Sequence, residues 1–193
     1  MRIQQGSWKG RGLAVPPPLA GHQSFTPAVL KSAVFDILAT RIPRFNEAHF
    51  YDLCAGSAQM AIEALSRGFE KVFACELDQQ RFRFLLQAMQ RGEYAIQLMR
   101  RDFRRSAPMV VAHEHTVFFL DPPYSFWHAG QSAHVNSFIQ QLGQLSGSTQ
   151  TGAVYGFIQC PAEYGLPAAV RPDRYEERTY GKQGLIVLEF PAS

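Results

Sequence analysis

A chain of 193 residues, 46% apolar and 18% charged, is long enough for one well-buried domain and too apolar to be disordered. It has no apolar run near the roughly 20 residues that span a bilayer and no hydrophobic signal core at its N-terminus, so no membrane association is expected and the cytoplasm is the expected compartment. Its three cysteines, Cys54, Cys75 and Cys160, form no Cys-x-x-Cys pair and read as small buried apolar residues; its six histidines, His113 and His115 among them, find no third ligand at metal spacing, so no metal site is expected.

Residues 1–15 read as a hairpin, Met1–Gln4 and Gly12–Val15, with Gly6 and Gly10 in its turn. The net charge is only +3, but Arg2, Lys9, Arg11 and Lys31 face no acid anywhere in the first 31 residues. Such a segment suits a phosphate backbone, although a solvated basic surface has the same composition. Pro16-Pro17-Pro18 starts an extended loop through Gly21 and Ser24. Thr26-Pro27 then predicts a helix start, Thr26 as N-cap and Pro27 as first helical residue, with Val29, Leu30, Ala33, Val34, Ile37 and Leu38 on a buried face and Pro43 at its end.

Phe50, Tyr51 and Leu53 form an apolar run around Asp52 that breaks at Ala55-Gly56-Ser57. A helical pattern (Met60, Ile62, Leu65) stops at Gly68, and Val72-Phe73-Ala74-Cys75 delivers Glu76, followed by Leu77 and Asp78. A strand, glycine turn, helix and acid-tipped strand is the arrangement that holds adenosine-containing cofactors, with the acid on the ribose hydroxyls. Taken alone it is equally an ordinary crossover. Gln79–Met89 reads as a helix with Phe82, Leu85 and Leu86 inward, and Ile96–Met99 as a strand delivering Asp102. A second basic cluster, Arg100, Arg101, Arg104 and Arg105, surrounds that acid. Val117–Leu120 is a strand buried on both faces that ends at Asp121-Pro122-Pro123-Tyr124. Val135–Leu142 is expected as helix, Ala153–Gln159 as strand, and Arg174–Tyr180 with Leu185–Phe190 as a terminal hairpin. The alternation predicts an α/β fold with a mainly parallel sheet of seven strands, helices on both faces, and a small N-terminal hairpin. Asp52, Glu76, Asp102 and Asp121 then all fall at carboxyl ends of strands, where such sheets bind ligands.

Two prolines after a buried strand remove two amide donors and leave carbonyls free beside Asp121. The complement of that acceptor cluster is an amino group, and Tyr124 offers a ring on which a base can stack. Asp-Pro-Pro-Tyr after an Asp-Leu-x-Ala-Gly-Ser turn resembles the S-adenosylmethionine-dependent amino-methyltransferases, above all the bacterial small-subunit ribosomal RNA guanine-N2 methyltransferase family. Met1-Arg2-Ile3, Gly6-Ser7-Trp8-Lys9-Gly10-Arg11, Glu63-Ala64-Leu65-Ser66-Arg67-Gly68 and Tyr180-Gly181 extend the resemblance over nearly the whole chain.

The resemblance implies a Rossmann-like class I methyltransferase domain over 26–193, preceded by a basic hairpin and Pro-rich loop over 1–25. It implies that Thr26, Asp52, Ala55, Gly56, Ser57, Glu76, Leu77, Asp102, Phe103 and Asp121 meet the cofactor, and that Asp121, Pro122 and Tyr124 act on the target amine. Arg2, Lys9, Arg11 and Lys31 would then meet RNA within a small-subunit particle, with the enzyme working as a monomer. Two departures stand out: Ala58 where the family has glycine, and Ser24 where it has arginine. Competing readings are another nucleic-acid amino-methyltransferase, such as one for adenine-N6 in DNA or RNA, a degenerate homologue that binds cofactor or RNA without turnover, and a NAD-linked dehydrogenase.

Overall fold

The computed structural model describes residues 1–14, 16, 26–106, 115–128, 130–148 and 152–191. In chain order the elements are α1 (Ala28–Arg41), β1 (Ala48–Leu53), α2 (Gln59–Ser66), β2 (Lys71–Cys75), α3 (Gln79–Gly92), β3 (Ile96–Met99), β4 (His115–Leu120), α4 (Ser132–Ser148), β5 (Val154–Pro161), β6 (Arg174–Tyr180) and β7 (Gln183–Phe190). The strands form one sheet ordered β3-β2-β1-β4-β5-β7-β6. Pairings among β1 to β5 are parallel, whereas β7 is antiparallel to both β5 and β6. The chain direction across the sheet reverses between β1 and β4, and a crevice opens beyond the carboxyl ends of such a pair.

Side-chain alternation sorts the core onto the two sheet faces. Phe50, Val117, Phe119, Phe157, Leu185 and Val187 pack with Leu30, Val34 and Phe35 of α1, with α2, and with Leu85 and Met89 of α3. Tyr51, Leu53, Phe118, Leu120 and Ile158 pack on the other face with Val135, Phe138 and Leu142 of α4. Tyr51 stacks on Phe73 at 4.4 Å and on Phe118 at 5.0 Å, which ties neighbouring strands on that face. The helices therefore cover both faces, and β1, β4 and β5 are buried along nearly their whole length, as their continuous apolar runs require.

Helix starts and faces differ from the sequence expectation in specific ways. Pro27, not Thr26, is the N-cap of α1, and no side chain caps that end. The Thr26 hydroxyl is engaged by Asp121 instead, so tertiary contact displaces the local cap. Val29 is exposed whereas Phe35 and Lys31 are buried, and Leu86 of α3 is exposed as well.

The N-terminal segment is a hairpin in direction only. A single antiparallel bridge, Arg2 with Gly12, joins its arms, together with bonds from Ile3 N–H to Arg11 O and Leu13 N–H to Met1 O. Where the first arm runs into the turn, the backbone bonds to α2 beneath. Gln4 and Gln5 N–H donate to the two carboxylate oxygens of Glu63, each at 2.9 Å, and Ser7 N–H donates to Ser66 O at 2.8 Å. Gly6 has φ +86°, and a Cβ there would stand 1.9 Å from Ser66 O, so only glycine fits. Val15, Gly21 and Ser24 lie outside the described residues.

Lys31 needs correction as a candidate RNA contact. It is 2% exposed and its Nζ pairs with Glu63 at 3.0 Å. Glu63 also accepts from Arg67 Nε at 3.1 Å. Burial opposes charge on Glu63, but bonds from Gln4, Lys31 and Arg67 hold its carboxyl below the usual range. The sequence pattern placed a cation near other cations; the fold turns it inward against a buried acid.

Candidate active site

Strands β1 to β4 deliver one acid each to the crevice, Asp52, Glu76, Asp102 and Asp121. After β1 the backbone is left-handed at Cys54 (φ 64°), Gly56 (φ 57°) and Ala58 (φ 54°). Ala58 is therefore the left-handed N-cap of α2, and the helix begins one residue later. A left-handed alanine costs roughly 1 kcal/mol, and it offers no side-chain acceptor to the helix end. Asp52 supplies that acceptor from the end of β1: its Oδ2 takes the Ala61 N–H at 3.1 Å. Burial holds the Asp52 carboxyl well above the usual range, and the charges of Asp121 and Glu76 add to the effect.

Glu76, 7% exposed, accepts Gly56 N–H at 3.0 Å through Oε2 and Asp78 N–H at 2.8 Å through Oε1. The acid at the tip of β2 thus braces the glycine turn, and each of its oxygens keeps a lone pair for another donor. Leu77 beside it is 57% exposed, an apolar side chain left open toward the cleft. Asp102 accepts Arg104 N–H at 3.0 Å and binds the Arg104 guanidinium, which holds its carboxyl below the usual range. Phe103 is buried and meets Phe126 and Phe138 edge-on.

Beyond β4, Asp121 receives a hydrogen bond from the Thr26 hydroxyl, and burial pushes its carboxyl up to about 7 despite that bond. Gln59 Nε2 donates to Thr26 O at 3.2 Å. The first residue of α2, just past the glycine turn, therefore braces the loop that braces Asp121. Pro123 O accepts Phe126 N–H at 2.9 Å, whereas the Pro122 carbonyl has no hydrogen bond among the described residues. Tyr124 is 57% exposed, with its ring edge-on to His128.

These groups line one cleft of about 1110 Å³. Thr26, Asp52, Ala55, Gly56, Ser57, Glu76, Leu77, Asp102, Phe103, Asp121, Pro122 and Tyr124 all border it. Arg2, Lys9 and Arg11 do not; they are exposed on the N-terminal hairpin, with Arg11 over the Tyr94 ring at 5.1 Å. Arg101 and Arg104 of the second basic cluster also reach the rim. Cys54 and Cys160 border the cleft too, but burial pushes the Cys160 thiol to about 12 and the Cys54 thiol well above the usual range, where neither is a ready thiolate. Among the described residues no three His, Cys, Asp or Glu side chains converge as metal ligands, and no helix is long and apolar enough to cross a membrane.

Sequence reading missed Gln59, Gln159 and Gln183, which also border the cleft. Gln159 had a signal, a lone polar residue in the apolar run of β5. Gln59 and Gln183 had none, since polar residues at a helix start and in a hairpin turn are ordinary.

The arrangement has two ends. One carries a glycine turn, a braced acid and an open leucine; the other carries a carboxylate, a free carbonyl and an exposed aromatic ring. Over residues 1–188 the chain matches the family described as Conserved hypothetical protein 95. The curated "Putative rRNA methyltransferase YlbH" of Bacillus subtilis (strain 168) is 35% identical over 131 residues, 64% of this chain and 67% of that relative. Among solved structures, "Putative methyltransferase yhhF" of Escherichia coli superposes with a TM-score of 0.73 at 21% identity, covering 100% of this chain and 99% of the other. The rRNA methyltransferase aviRa of Streptomyces viridochromogenes gives 0.59 at 15% identity, covering 89% and 88%. At those identities the two structures speak for the fold, an α/β methyltransferase architecture.

Proposed function

Because the chain belongs to the Conserved hypothetical protein 95 family, of RsmD-like methyltransferases, we propose that it moves the methyl group of S-adenosylmethionine to the exocyclic N2 amine of a guanine in small-subunit ribosomal RNA. The observation that carries this reading is the opposition, within one cleft, of the braced glycine turn and Glu76 to Asp121 and the unpartnered Pro122 carbonyl.

The residues present fit that cofactor. The cleft is larger than the roughly 300–1,000 Å³ typical of one small ligand, which leaves room for a base beside it. Glu76 would take the ribose hydroxyls on its remaining lone pairs, Leu77 and Phe103 the faces of the adenine, and the turn at Ala55, Gly56 and Ser57, with Asp52 behind it, the methionine end. When bound, S-adenosylmethionine supplies an already activated methyl group.

The rest is the work of the chain. An aromatic amine is a poor nucleophile because its lone pair is delocalised into the ring. Asp121 and the Pro122 carbonyl accept its two hydrogens, which favours a pyramidal nitrogen with its lone pair aimed across the cleft. Tyr124 stacks on the base and holds its plane. Asp121, poised near neutrality, is the first acceptor for the proton the amine releases. Arg2, Lys9 and Arg11 lie outside the cleft and are suited to the RNA backbone.

The test is tritiated methyl transfer to small-subunit particles, free ribosomal RNA and DNA side by side, with mass mapping of the product and calorimetry of the cofactor. The expected outcome is S-adenosylmethionine binding and N2-methylguanine in RNA. Binding of NAD with none of S-adenosylmethionine would sink the reading.

A further inference from the structure

The end of β5 places an amide where the neighbouring strand places Asp121. In the parallel β4–β5 pair, Phe119 stands opposite Phe157 and Leu120 opposite Ile158. Phe119 and Phe157 lie in the same core cluster, on the α1 face. Two residues on, Asp121 and Gln159 therefore share that face on adjacent strands, about 4.8 Å apart across the sheet. Both border the cleft.

Gln159 is 8% exposed. Its Nε2 donates to Gln183 Oε1 at 3.2 Å, which fixes the orientation of the amide. Its Oε1 is buried and has no hydrogen-bond partner among the described residues. A buried acceptor left unpaired is costly, so its presence at a cleft wall calls for a donor brought from outside. The carbonyl and the nitrogen turn together about the terminal torsion, so the bond to Gln183 that holds the nitrogen holds the carbonyl as well.

The chemistry of the bases says which donor. In adenine and cytosine every ring nitrogen beside the exocyclic amine is an acceptor. Guanine alone carries a ring N–H, at N1, next to its amine. We infer that Gln159, held by Gln183, is the specificity residue of this cleft: its carbonyl accepts guanine N1–H while Asp121 holds the N2 amine. An adenine or cytosine amine placed against Asp121 would set a ring acceptor against the Gln159 carbonyl, a repulsive pair that leaves both unsatisfied. The inference rests on the reading that a nucleobase amine sits at Asp121, and it names the group that chooses the base.

The test measures binding of guanosine monophosphate and of 2-aminopurine riboside monophosphate to the full chain saturated with S-adenosylhomocysteine. The second nucleotide keeps the amine but has an acceptor at N1. Wild type is expected to prefer the guanine nucleotide by at least about tenfold. Gln159→Leu is expected to bind both alike, while Gln159→Glu, which keeps an acceptor, is expected to restore the preference. S-adenosylhomocysteine affinity should stay within about twofold in both variants, which shows that the fold survives. A guanine preference that persists in Gln159→Leu overturns the inference. So does wild type that binds the two nucleotides equally, or neither at millimolar concentration. Loss of S-adenosylhomocysteine binding by wild type would instead overturn the cofactor reading.

Discussion

Asp121, just past the end of β4, stands in an environment that opposes its charge. Burial lifts its carboxyl to about 7, above the value of about 4 expected in an unfolded chain. With the folded value raised, the native state binds the proton more tightly, so stability from this group falls as pH rises between about 4 and 7. Asp121→Asn should therefore stabilise the free protein by on the order of 1 kcal/mol at pH 8 and change little at pH 4, as thermal melts at the two pH values would show. Transfer needs the carboxylate as acceptor, so kcat/KM should climb toward pH 7 and level off above it. Asp121→Ala should leave cofactor affinity within a few-fold and reduce transfer by roughly a hundredfold or more; unchanged turnover would remove Asp121 from the site. At Ala58 two effects nearly cancel. Glycine would relieve about 1–2 kcal/mol of left-handed strain but lose about 0.8 kcal/mol of buried methyl and add about 0.5–1 kcal/mol of chain entropy. Ala58→Gly should thus shift urea stability by less than about 1 kcal/mol, whereas a β-branched valine at that buried left-handed position should cost more than about 2 kcal/mol.

At the scale of elements, the N-terminal hairpin and the cleft can be separated experimentally. The hairpin is fastened through Glu63, Ser66 and the space at Gly6, none of which borders the cleft. Gly6→Ala should detach it, leaving S-adenosylmethionine affinity unchanged in calorimetry while RNA affinity drops. Arg11→Ala should weaken RNA binding and lower the slope of log K against log salt by about 1, because one phosphate contact is lost. An unchanged slope would mean that the hairpin does not meet phosphate. The elements also show what local pattern carries. β3 and β6 read with the bounds Ile96–Met99 and Arg174–Tyr180 because apolar or alternating runs flanked by turn residues leave little choice. The N-cap role of Thr26 and the exposure of Lys31 did not read true, because each answers to a partner distant in sequence, Asp121 for the first and Glu63 for the second. The acids at strand ends were legible from the ends of apolar runs. That the Glu76 carboxylate braces Gly56, and that Asp52 caps a helix whose own cap is an alanine, required the fold.

For the whole molecule, the two core clusters lie on opposite faces of one sheet, and β1, β4, β5 and β7 contribute to both. Neither face can be lost without exposing the other, so urea unfolding should be a single transition seen alike by tryptophan fluorescence and far-ultraviolet circular dichroism. S-adenosylhomocysteine at a hundred times its Kd should add about 2.7 kcal/mol to that stability, and NAD at the same concentration nothing. One outcome of the topology concerns how such a protein can change its target. β7 runs against its neighbours, so its first residue, Gln183, sits where β5 and β6 finish and borders the cleft just after the turn at Gly181-Lys182. This turn joins two strands, and its Lys182 carbonyl accepts the Ala162 N–H at 3.2 Å. On the function proposed above, residues inserted between β6 and β7 would grow beside the target base and away from the glycine turn and Glu76, so lengthening this short turn would redirect the enzyme at little cost to its chemistry.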